Sequence, residues 1–157
     1  MGTCGLCSCV NVLRLAGCHI SEYQLVDYAT KNGLCVKGKS DPRDNGGTSY
    51  YGRERLLMAF GMESECHPAD VHTLSHYVSQ GRGAIISVYA GKLYNGYSDG
   101  SDSHAITVTS VKTDSNGKTI GFYVCDSNGY PAKYYTAEQK NNALTGRPMN
   151  ITKAIIR

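Results

Sequence analysis

A helical first half followed by a β-rich second half predicts an α+β fold, one domain over residues 1–157. Three observations carry that prediction. Through residues 1–81, apolar segments with helical spacing are closed by glycine, and most open on Ser, Thr or Asp. Residues 84–89 are an apolar run of strand length, and 106–111 alternate in a β-branched, period-2 pattern. Asp114-Ser115-Asn116-Gly117 then supplies a hairpin turn that returns 120–125 antiparallel.

The elements follow in order. A first helix starts at Cys4, carries Val10, Val12, Leu13, Leu15 and Ala16, and stops at Gly17. Ser21 and Gln24 form a capping box for a second helix, with Ile20 and Leu25 at the staple positions. Leu25, Tyr28 and Ala29 give that helix its apolar face, and Gly33 ends it. Residues 37–48 are turn formers and predict an exposed loop. Thr48 or Ser49 starts a third helix, with Leu56, Leu57 and Phe60 inward and Gly61 as the stop. A short strand is expected over 62–66, and Asp70 caps a fourth helix with Val71, Leu74 and Val78 on one face. After the sheet strands, Tyr134 and Tyr135 suggest a further strand, 137–144 a short helix, and 149–156 a last strand.

Composition narrows the function classes. A chain of this length buries a core without staples, and 41% hydrophobic with 18% charged residues is ordinary for a globule. The net charge of +3 is mild and the Lys and Arg residues are scattered, which argues against nucleic acid as a partner. No apolar run reaches membrane-span length, and no signal peptide is expected before the domain. Seven cysteines would leave one over in a complete disulfide framework, which favours a reducing working environment. Cys18, Cys35, Cys66 and Cys125 read as small buried hydrophobes.

Cys4 carries the first chemical signal. A thiol at a helix start faces unpaired N–H groups and the positive end of the helix dipole, which favour the thiolate. Nucleophilic catalysis then needs a base and an orienting group. His104 opens one predicted strand and Asp126 closes the next across the hairpin, so both can meet at the same end of the sheet. If the first helix packs there, Cys4, His104 and Asp126 form a thiol–imidazole–carboxylate triad. The plainer alternative makes His104 a strand-start histidine and Asp126 a turn former.

Thr3-Cys4-Gly5-Leu6-Cys7-Ser8-Cys9-Val10-Asn11-Val12-Leu13 resembles the nucleophile helix of the papain-like bacteriocin-processing peptidases, the double-glycine leader peptidases. Ser103-His104-Ala105-Ile106-Thr107-Val108 resembles their His strand, and Val124-Cys125-Asp126-Ser127-Asn128-Gly129 their Asp turn. Asn45-Gly46-Gly47-Thr48-Ser49 and Phe60-Gly61-Met62 are similar to the family's middle region. The resemblance implies a papain-like fold, with the nucleophile helix packed on an antiparallel sheet that carries His and Asp. It also implies a cysteine peptidase that takes a protein or peptide, cuts after small residues such as Gly-Gly, and needs no cofactor. Family analogy extends to toxic domains of secreted bacterial effectors, hence to delivery into a reducing cytoplasm and a cognate immunity or inhibitor protein. One departure stands out. The family places an oxyanion-stabilising Gln a few residues before the nucleophile, whereas only Met1-Gly2-Thr3 precede Cys4 here. Either the Gln lies on a segment outside this sequence, or backbone N–H groups such as that of Cys4 serve; losing one such donor typically costs ~10²–10³ in rate.

Other readings stay open. An amidase or deamidase would keep the same triad, while a non-catalytic zinc or partner-binding module would use the cysteines as ligands. Cys4, Cys7 and Cys9 have ligand-like spacing but no evident fourth ligand. His72 and His76 are four apart on a helix, yet Thr73 stands where a zinc protease has Glu, so a solvated face is expected and no metal is assigned. The motif also has two registers. The leader-peptidase register makes Cys4 the nucleophile; the register of plant papains and lysosomal cathepsins makes it Cys7, but expects an aromatic where Ser8 stands. The first register is adopted, with Cys7 a buried or packing thiol.

Overall fold

The computed structural model describes residues 4–38, 48–92, 103–125 and 133–156. Helices α1 (Cys4–Leu15), α2 (Glu22–Lys31) and α3 (Tyr50–Ala59) precede strand β1 (Ser64–His67) and helix α4 (Val71–Val78). Strands β2 (Arg82–Tyr89), β3 (Ser103–Thr113), β4 (Thr119–Cys125) and β5 (Lys133–Thr136) follow, then α5 (Ala137–Ala143) and β6 (Met149–Ile155). The strands form one antiparallel sheet in the order β1-β6-β2-β3-β4-β5. The predicted α+β class is therefore the observed one.

Local chemistry explains the helix starts. Ser21 Oγ accepts from the Gln24 N–H at 3.1 Å, and Gln24 Oε1 accepts from the Ser21 N–H at 2.9 Å, so the α2 capping box is complete. Ser49 caps α3 through the Gly52 N–H, and Asp70 caps α4 through the Thr73 N–H. A second capping box, Thr136 with Gln139, opens α5 and was not anticipated. Gly17 leaves α1 at φ 91°, a left-handed conformation that glycine adopts without steric cost. β1 begins two residues later than expected because the stretch after α3 closes that helix, with the Met62 N–H on the Leu57 carbonyl at 2.9 Å. Residues 39–47 of the expected loop lie outside the described residues.

The sheet buries both faces. On one, Ile85 and Ala105 pack with Leu6, Val10, Leu13, Leu25, Leu56 and Leu57 from α1, α2 and α3. On the other, Ala84, Ile86, Val88, Ile106, Val108 and Phe122 pack with Leu74, Val78 and Ala143 from α4 and α5. Neighbours along β2 thus serve different cores, which is why 84–89 reads as a continuous apolar run. Thr107 alternates with Ile106 and Val108 in sequence but is fully buried, because α1 covers its face and its hydroxyl donates to the Ser8 carbonyl. A buried leucine contributes about 1.5–3 kcal/mol and a hydrogen bond about 1 kcal/mol net, so packing holds α1 down while polar contacts fix its position.

Candidate active site

Three polar contacts between α1 and β3 set where Cys4 lies. Ser8 Oγ donates to the Ala105 carbonyl at 3.2 Å, Thr107 Oγ1 donates to the Ser8 carbonyl at 3.2 Å, and the Ala105 N–H donates to Cys4 Sγ at 3.3 Å. They bring the first residue of α1 against the start of β3, where His104 is the second residue and almost wholly buried.

The His104 side chain lies close enough to the Cys4 thiol to favour its thiolate. Burial pushes the thiol pKa up, but the His104 side chain, the Ala105 N–H, the positive charge of the imidazole and the Gly5 N–H together hold it below the usual thiol range. Cys9, Cys66 and Cys125 go the other way. Burial drives Cys9 up to about 12. Burial with the neighbouring Glu54 takes Cys66 to about 11. Cys125 is raised by burial, partly offset by a hydrogen bond with Thr109. Of these four, Cys4 is the one moved toward the thiolate.

Cys7 points elsewhere. Half-buried on the α2 side of the helix, it donates from Sγ to Glu22 Oε1 at 3.2 Å, a polar contact where a buried or packing thiol was expected. Cys4, Cys7 and Cys9 therefore do not converge as ligands. Among the described residues, no three His, Cys, Asp or Glu side chains gather in a way that could hold a metal ion. His72 and His76 lie on the exposed face of α4, as anticipated. Cys18 and Cys35 pack at the edge of the α1-face core, while Cys66 and Cys125, expected as small hydrophobes, are half-buried beside polar partners. None of the seven cysteines, all of them among the described residues, forms a disulfide. Asp126, and Asp102 and Asn128 near the same strand ends, lie outside the described residues. Among the described residues no helix is long and apolar enough to cross a membrane.

The sequence reading missed the support beneath Cys4. Gly5 packs so closely on Thr48 that a Cβ there would overlap the Thr48 hydroxyl, which is a physical reason for glycine directly after the cysteine. Thr48 is in turn held by Arg53, whose guanidinium donates to Thr48 O at 3.2 Å, Thr48 Oγ1 at 3.1 Å and Asn150 Oδ1 at 2.9 Å. Arg53 lies three and four residues before Leu56 and Leu57, so the helical period already marked it as inward-facing.

No family model matches the chain, and no curated protein sequence matches it. Solved structures do match. A C39-like peptidase from Bacillus anthracis superposes with a TM-score of 0.68 at 14% identity, covering 98% of this chain and 90% of that one. The peptidase domain of Streptococcus ComA, a bifunctional ABC transporter of a quorum-sensing pathway, gives 0.66 at 16% identity over 98% and 93%. A double-glycine-motif protease from an AMS/PCAT transporter, solved with its leader peptide, gives 0.58 at 13% over 98% and 86%. The fold is that of the papain-like C39 peptidase domains, as the sequence resemblance implied.

Proposed function

We propose that this protein is a cysteine peptidase in which Cys4 is the nucleophile, His104 the general base and acid, and Asp126 the group that orients the imidazole. The observation that carries the reading is the Cys4 thiol at a helix start, accepting from the Ala105 N–H beside His104 and held toward its thiolate. His104 accepts the thiol proton, and the thiolate attacks the carbonyl carbon of the scissile peptide. The imidazolium then protonates the leaving amine, and the acyl-enzyme is hydrolysed by a water that His104 deprotonates. The Cys4 N–H, at the start of α1, is the donor we assign to the oxyanion.

For substrate we propose a peptide or protein cut after Gly-Gly, since one structural neighbour is a double-glycine-motif protease solved with its leader peptide. Cysteines that form no disulfide suit a reducing compartment, and we extend the reading to a delivered bacterial effector restrained by an inhibitor protein. Labelling of new N-termini in a treated lysate tests the assignment. New termini that follow small residues, absent with Cys4→Ala, are expected. Conversion of side-chain amides to acids without new termini would replace peptidase by deamidase.

A further inference from the structure

A buried arginine joins three elements around the start of α1. Arg53, only 4% exposed, hydrogen-bonds Asn150 on β6 through Nε and Thr48 through a terminal nitrogen, and Thr48 packs on Gly5, the residue after Cys4. Asn150 is anchored as well, with Nδ2 donating to the Tyr50 carbonyl at 2.8 Å. Any displacement of Arg53 therefore moves Thr48 and, through it, the turn of helix that carries the thiol.

Its charge has a particular set of neighbours. Burial weighs most on the guanidinium and disfavours its charge, whereas Cys9 and Cys4 on α1 and Cys66 on β1 favour it and Arg147 opposes it. Among the described residues no carboxylate pairs with it. A guanidinium stays protonated under these conditions, so a fixed positive charge sits behind Thr48, which packs on Gly5, while His104 acts on Cys4 from β3.

We propose that Arg53 is a positioning residue for Cys4, fixing the helix start through Thr48 and adding a permanent positive charge that favours the thiolate. The proposal rests on Cys4 as the nucleophile, but its test needs no substrate.

The measurement is the pH dependence of Cys4 alkylation by iodoacetamide, read at fragment level by mass spectrometry so that Cys4, Cys7 and Cys9 are separated. Arg53→Met should raise the midpoint by about half a pH unit, making alkylation below it about threefold slower. Arg53→Lys, which keeps the charge, should restore most of the difference. Asn150→Asp gives an independent arm if Arg53→Met does not fold. It keeps an acceptor for Arg53 but sets a carboxylate against the guanidinium, so the midpoint should again rise. A wild-type midpoint in folded Arg53→Met or folded Asn150→Asp would overturn the proposal. A shifted midpoint in a protein that cuts no peptide would retain the role of Arg53 and remove the peptidase reading instead.

Discussion

Arg53 on the α1 face of the sheet and Lys140 on the α5 face are both sealed from solvent, yet their surroundings differ sharply. Arg53 spreads its planar fork over an amide oxygen, a carbonyl and a hydroxyl. Among the described residues Lys140 meets the face of the Tyr135 ring, 4.8 Å away, and its Nζ finds no hydrogen-bond partner. Burial pushes the lysine down to about 7, while the guanidinium, though lowered by burial, stays charged. The difference shows what each core is built for. The α1 face tolerates Ser8, Thr48, Arg53, Thr107 and Asn150 because each finds a partner, and together they fix the position of a thiol. The α5 face is an apolar core with one charge that it cannot solvate.

The largest effect should come from the polar side. His104→Ala removes the proposed base, and a general base typically supplies ~10²–10⁴-fold in rate. Turnover should fall by that much while the melting temperature changes little. Near-full activity in a folded His104→Ala protein would end the distinction between a functional and a structural face.

A smaller effect should follow from crowding the same face. Gly5→Ala forces Thr48 off its place beside α1, and overpacking of this kind costs about 1–3 kcal/mol. Denaturant unfolding should show that loss, with turnover reduced as well, and Thr48→Gly in the same chain should recover part of both. Unchanged stability and activity would mean that the Thr48 contact does not position Cys4.

On the opposite face, substitution should help. Lys140→Met removes an ammonium that lacks a partner, and at neutral pH it should stabilise by about 1–3 kcal/mol without altering turnover. The pH dependence sharpens the point. The folded chain sheds this proton near pH 7, whereas the unfolded chain holds it to about 10.4, the ordinary lysine value. Between those limits the unfolded state binds more protons, so wild-type stability should rise with pH, by up to about 1.4 kcal/mol per unit. The gain from Lys140→Met is then largest at or below pH 7 and fades toward pH 10. A gain that stays constant across that range would show that Lys140 does not titrate in the fold.

What the sequence revealed was chiefly local. Ser21 with Gln24, Ser49, Asp70 and the turn at 114–117 satisfy backbone groups within a few residues, so their roles need no knowledge of the rest of the chain. Cys4 and His104 were legible because a thiol at a helix start and a histidine at a strand start are locally marked positions. Their contact depends on α1 docking across β3, which apolar residues drive and Ser8 and Thr107 align. The partner of Arg53, though its inward position follows from the helical period, and the burial of Lys140 stayed hidden for the opposite reason. Both side chains are of a type that solvent usually takes, and only the tertiary fold determines that Asn150, 97 residues away, receives one of them. The alternation over 106–111 likewise left the burial of Thr107 unstated, because nothing nearby in sequence says that both sheet faces are covered.

The central claim is that Cys4 is the thiol set up to attack. Brief treatment with a peptide-based thiol electrophile at about pH 6, below the ordinary thiol range, followed by fragment-level mass mapping, addresses it directly. Label should appear on Cys4, with Cys7 and Cys9 unmodified, and His104→Ala should abolish it. Label on Cys7 with Cys4 free, together with an active Cys4→Ala protein, would contradict the account and move the nucleophile one turn along the helix.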